Sequence, residues 1–148
     1  MPQVTIQAIG TPPSDAQKTA VFAKITDLMV DVLDRTRKLV VVSISSSPIS
    51  DWAVGGEAAK EGGLIGVQAV VRIIAGTNSD EQKSRMIAET TAVLRKELGD
   101  PILPLYVTFD EVPATAWGTT AGPWRKSRLR KQLDERERSS ASALFQSY

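Results

Sequence analysis

Apolar and polar residues alternate from Gln3 to Ala8, with Val4, Ile6 and Ala8 in one phase and Gln3, Thr5 and Gln7 in the other. A period of two predicts a strand with one buried face. Gly10-Thr11-Pro12-Pro13 interrupts it. The spacing then changes: Val21, Ile25, Leu28 and Val32 fall at helical intervals and predict an amphipathic helix over residues 15–35. Ser14 stands where the N-cap should be, Asp15 is favourable in the first turn, and Gln17 takes the capping-box position. Leu39 to Ile44 is nearly all apolar and β-branched, which predicts a strand buried on both faces. The stretch reads as β-α-β, with parallel strands and a right-handed crossover.

The same pattern then returns. Ser14–Trp52 aligns with Ser79–Trp117 without a gap, both copies opening on Ser-Asp-x-Gln-Lys, carrying Pro48 or Pro113 late, and closing on Trp. Between them, residues 53–63 form a glycine-punctuated connection that could hold a short hairpin. Val67 to Ala75 predicts the second copy's first strand, and Ile87, Leu94 and Leu98 its helical stripe, ended by Gly99. Leu103 to Phe109 predicts its second strand. The expected fold is α/β (α+β): two tandem β-α-β units forming a four-stranded sheet with both helices on one face. The 148 residues suit a single domain, with repeats over 2–57 and 67–122 and a tail over 123–148. The other sheet face is expected to be rich in Val, Ile and Leu. No remaining element is long enough to cover such a face, which predicts a closed cyclic oligomer.

Composition narrows the chemistry. The chain has no cysteine and no histidine, which removes thiolate catalysis, disulfides, the Ser-His-Asp triad and most transition-metal sites. The start, MPQVTIQAIG, lacks a basic region followed by a long apolar run, so no secretory signal is read there. No stretch approaches the ~20 apolar residues of a membrane span. A cytoplasmic location is expected. The tail holds seven Lys/Arg against three Asp/Glu over 123–148. Its interspersed charges (Lys131, Asp134, Glu135, Arg136) favour a solvated helix packing Trp124 and Leu129 over a nucleic-acid contact.

Pro2 is the principal candidate for chemistry. Initiator Met is commonly removed before a small residue, exposing a secondary amine at the head of a strand. An α-amino group has a reference pKa of roughly 7.7–8.0, lowered by desolvation or a nearby cation. A neutral amine of this kind can act as a general base or attack a carbonyl. Asp110-Glu111 could supply an acid or a hard-metal ligand, although adjacent carboxylates at a strand end are usually solvated. Ser45-Ser46-Ser47 has no neighbouring base, and neither Gly55-Gly56 nor Gly62-Gly63 fits a phosphate-binding loop.

Pro2 with its following strand, Ser14-Asp15-x-Gln17-Lys18, the next strand and Trp52-Ala53-Val54-Gly55-Gly56-Glu57 resemble the tautomerase superfamily, in its 4-oxalocrotonate tautomerase branch. The resemblance covers roughly residues 2–122 and runs through both copies. It implies an amino-terminal proline as catalytic base, here Pro2, and a homotrimer of fused units. The second copy begins near Gln68 inside the chain, so one proline site per chain is implied. An arginine that the family places before the Ser-Asp cap falls on Pro13 and Asn78, and another on the second strand falls on Val41 and Tyr106. Those arginines would grip a substrate carboxylate, a bidentate task that Asn and Tyr do not reproduce.

The function implied is keto–enol tautomerisation of a small 2-oxo or enol acid. Pro2 is the base, Asn78 and Tyr106 donate to the carbonyl, Arg72 is the replacement cation, and Trp117 is an apolar wall. Arg125 is a second cation if the tail folds over the site. Dehalogenase or hydratase chemistry on an unsaturated acid, or a non-catalytic binding oligomer that kept the fold, are the alternatives. The expected partners are the small-molecule substrate and two further copies, with no nucleic acid, membrane, cofactor or metal.

Overall fold

The structure is a computed structural model in which residues 2–60, 62–119 and 122–123 are described. The chain divides into two compact units, Met1–Glu111 and Val112–Tyr148. In chain order the first unit contains β1 (Gln3–Gly10), α1 (Asp15–Asp31), β2 (Val41–Ser47), β3 (Ala53–Val54), β4 (Glu57–Ala58), β5 (Leu64–Ile74) and α2 (Asp80–Leu98). It also contains all but the last residue of β6 (Tyr106–Val112).

The sheet order is β2-β1-β5-β6. β1 and β2 are parallel, with Gln3 opposite Val41, while β1 and β5 are antiparallel, with Gln3 opposite Arg72 and Gln7 opposite Gln68. Two β-α-β units thus join through their first strands. The expected class, a four-stranded sheet with two helices, is the class found.

The core lies between one sheet face and the helices. Val4 and Ile6 of β1 and Val67, Ala69, Val71 and Ile73 of β5 pack against Val21, Ile25 and Met29 of α1 and Met86, Leu94 and Leu98 of α2. Counterparts 65 residues apart share the work: Val21 with Met86, Ile25 with Thr90, Met29 with Leu94, Leu33 with Leu98, all buried.

The caps explain why Ser-Asp-x-Gln occurs twice. Ser14 accepts from the Gln17 amide, and the Gln17 side chain accepts from the Ser14 amide; Ser79 and Gln82 repeat this. Each glutamine also donates across to the other helix. Gln17 Nε2 reaches the Glu97 carbonyl at 2.9 Å, and Gln82 Nε2 reaches the Val32 carbonyl at 3.1 Å. These helix-end carbonyls have no partner inside their own helix. Glu97 and Val32 are themselves 65 positions apart, so the two bonds are images under a pseudo-twofold axis.

The repeat extends into the small hairpins. Gly55-Gly56, both at positive φ, turn β3 back onto β4, pairing Ala53 with Ala58 and Val54 with Glu57. In the second unit, a turn of 3-10 helix over Ala114–Ala116 leads through Trp117 into β7 (Gly118–Thr119) and β8 (Gly122–Pro123), paired in the same register.

Four expectations are corrected. α1 stops at Asp31, not residue 35: Val32 and Leu33 form a turn, and Asp34 takes φ 54. β2 is not buried on both faces; it lies at a sheet edge and alternates between half-buried and exposed. Its apolar run is explained by Val42 and Ile44 packing against the core and Val41 being left exposed. Ile87 is also exposed, and Met86 takes its place in the stripe.

The fourth correction concerns the second sheet face, which is mostly polar. Gln3, Thr5 and Gln7 stand there beside Gln68, Val70 and Arg72, with Ser43 and Ser45 next to them. Both central strands spend their apolar phase on the helices, so little is left for the opposite side. The face is thus mixed, with Val41, Val70 and Tyr106 as its apolar members, and is not the continuous Val/Ile/Leu surface expected. The expected helix over the tail, with Trp124, Arg125 and Leu129, lies outside the described residues.

Candidate functional site

Pro2 heads the central strand β1 and is half-buried, with its carbonyl accepting from the Val41 amide at 3.1 Å. The antiparallel register brings Arg72 of β5 to the same end of the sheet, opposite Gln3. Arg72 Nε donates to Asp110 Oδ2 of β6 at 2.7 Å, and its Nη1 lies 3.4 Å from Gln3 Oε1. The cation expected from the sequence is therefore near the proline, and it already has a carboxylate partner. Both side chains of that pair are a little under half exposed, so solvent screens the pair and an incoming acid can compete for Arg72.

Asp110 and its neighbour Glu111 point apart. Glu111 pairs with Lys83 of α2 at 3.2 Å, on the helix side of the sheet. Alternation along the strand separates the two carboxylates, so they do not form a bidentate pair for a hard cation. Among the described residues no group of three acidic or His/Cys side chains could hold a metal.

Asn78 is committed elsewhere. Its Nδ2 donates to the Leu33 carbonyl and to Gln82 Oε1, both at 3.2 Å, while its Oδ1 accepts from Arg35. Those bonds tie the end of α1 to the start of α2. Arg35 was not singled out by the sequence reading. Its guanidinium donates to Thr77 Oγ1 at 2.8 Å and to Asn78, and its Nε is buried with no partner among the described residues. Desolvation lowers its pKa, against a smaller opposing pull from Asp34. A cation thus stands beside the Asn78 position, supplied by the segment after α1. Within the run Asp34-Arg35-Thr36-Arg37-Lys38 nothing in the sequence marks Arg35 from its neighbours.

Tyr106 lies at the other end of the sheet. It opens β6 and lines a cleft of about 150 Å³ with Ile9, Trp52, Gly66, Val67, Gln68 and Leu103 among others. Ile9 is six residues along β1 from Gln3, about 20 Å at strand rise. Within one protomer, then, Pro2 and Arg72 are brought together and Tyr106 is not. Trp117 belongs to the second unit, where it follows the 3-10 turn.

Comparison with known proteins fits this architecture. Residues 2–61 match the family described as Tautomerase enzyme. No curated protein matches the chain. Among solved structures it is similar to Pt0534 inactivated by 2-oxo-3-pentynoate, at 22% identity and a TM-score of 0.72, covering 85% of this chain and 98% of that one. It is similar to native fused 4-OT at 23% identity and TM-score 0.68, covering 82% and 94%. The macrophage migration inhibitory factor of Toxoplasma gondii shares 19% identity at TM-score 0.64, covering 82% and 99%. At such identities these likenesses speak to the fold, and the family match speaks to the first copy. Residues 2–61 thus match the tautomerase family, and the chain as a whole has the fold of the fused 4-OT structures.

Proposed function

We propose that this protein is a tautomerase whose base is the amine of Pro2, freed by removal of Met1, and whose substrate is a small 2-oxo or enol acid. The nitrogen takes the proton of the enol hydroxyl and delivers it to the carbon α to the new carbonyl; the C=C bond becomes single as the C–O bond becomes double, converting enol to ketone. Arg72 receives the substrate's acid group by exchange with Asp110. The supporting observation is the placement of Pro2 at the head of β1, half-buried, one residue before Gln3, which pairs with Arg72. The chain works as a homotrimer; fused 4-OT structures of this fold are described as symmetric and asymmetric trimers.

The test is the rate on phenylenolpyruvate. Pro2→Ala should lower kcat/KM by a factor of 10² or more, the usual size of a general-base contribution. Protein retaining Met1, verified by intact mass, should be equally slow because its proline nitrogen is an amide. Equal rates in Pro2→Ala and wild type would end the proline mechanism. Asp110→Asn should lower KM severalfold by releasing Arg72, and Arg72→Ala should raise it.

One observation favours a second reading, hydration or dehalogenation of an unsaturated acid. That chemistry needs a carboxylate to handle water, and Asp110 lies 2.7 Å from Arg72 at the proline end. In that case Asp110→Asn would abolish turnover of a 3-haloacrylate instead of improving KM on an enol.

A further inference from the structure

The cleft around Tyr106 is the second copy's counterpart of the proline end. Shifted back by 65 residues, Val67 falls on Pro2, Gln68 on Gln3 and Tyr106 on Val41, while Ile9 shifted forward falls on Ile74. A concavity stands at this end, with an internal Val67 where the second copy's amine would be. No covalent or acid–base chemistry through an imino group is possible there, yet the concavity has not been filled. Gly66 contributes to this: a Cβ at that position would sit 3.2 Å from Ile9 Cδ1.

We infer that this cleft is a separate, non-covalent binding site for a small neutral aromatic molecule carrying one carbonyl or hydroxyl group. Size comes first. A cavity of about 150 Å³ is the volume that accepts a single benzene ring. Charge comes second: none of its lining residues is charged, so nothing there offsets the desolvation of a carboxylate. Shape and polarity come third. Trp52 and Tyr106 supply aromatic surface, and the Gln68 amide and Tyr106 hydroxyl are the side-chain polar groups able to orient a carbonyl or hydroxyl. Val54 and Tyr106, which line it, are large apolar side chains 53% and 56% exposed. A ligand seated against them would remove that surface from water. This site is independent of whether Pro2 is catalytic.

The experiment is a fluorescence titration of the full chain carrying Trp117→Phe and Trp124→Phe, which leaves Trp52 as the reporter. Acetophenone is the probe and benzoate the charged control. Acetophenone should give a saturable change with a Kd on the order of 1 mM, the range for a ligand of one ring. Pro2→Ala should leave that Kd unchanged. Benzoate should bind at least tenfold more weakly, and Gln68→Leu or Tyr106→Phe should each weaken acetophenone severalfold. If the double tryptophan variant does not fold, the difference between wild type and Trp52→Phe gives the same signal. The inference is overturned by no saturation up to the solubility limit, by equal affinity for benzoate, or by loss of binding in Pro2→Ala. Shielding of Trp52 from acrylamide in the assembled oligomer, with no titration, would assign the cleft to a neighbouring copy and overturn it as well.

Discussion

Thr90 shows how a duplicated core tolerates a mismatch. It is fully buried at the position where the first copy has Ile25, and its Oγ1 has no hydrogen-bond partner among the described residues. A hydroxyl buried in this way loses its water without compensation. Thr90→Val keeps the shape and a similar helix propensity, and should stabilise the fold by about 1 kcal/mol. The measurement is the urea midpoint at unchanged m-value. A midpoint that fell would mean the hydroxyl has a partner, such as a buried water. Strand register sets Arg72 opposite Gln3, at the end of the sheet where Pro2 stands. The sequence alone could not assign Asn78, because a polar side chain before a helix serves a neighbouring helix end as readily as a substrate. Only the positions of Leu33 and Arg35 decide between those uses.

At the scale of elements, the capping boxes were readable from Ser-Asp-x-Gln alone. The second bond from each glutamine, to the end of the other helix, was not, since it spans 80 residues in one case and 50 in the other. Gln17→Ala and Gln82→Ala each remove a capping-box bond and an inter-helix bond. Each should cost about 1–2 kcal/mol. Pseudo-symmetry predicts similar losses at the two sites, checked by paired denaturant melts. A loss at only one would show that the second helix–helix bond is absent in solution. Strand roles were less readable. A short apolar run such as Leu39–Ile44 suits a central strand or an edge strand with one face on a core, and sheet order alone makes the choice.

For the whole molecule, assembly has to rest on something other than an apolar sheet. The open face carries glutamines, serines, threonines and the Arg72–Asp110 pair, with Val41, Val70 and Tyr106 among them. A trimer joined through it would be held by directional polar contacts, with modest apolar burial. Light scattering should give a mass near three times 16.0 kDa. Dissociation on dilution should be promoted by added salt, because partly exposed charge contacts are screened. A monomer at micromolar concentration would remove the trimer from the proposal, while the cleft beside Tyr106 would remain a feature of each protomer.

The amino-acid sequence by itself determined the doubled β-α-β plan, the caps, the buried stripes of both helices in outline and the singular position of Pro2. All of these depend on local periodicity, or on a repeat that reads along one dimension. The tertiary structure alone decided which strands are central, that the second sheet face is mostly polar, that Arg72 meets Asp110, and that Asn78 braces two helices. Each of those depends on antiparallel pairing of β1 with β5, a contact between distant segments. Spacing along a chain carries no information about which side of a neighbour a side chain will meet until the register is set.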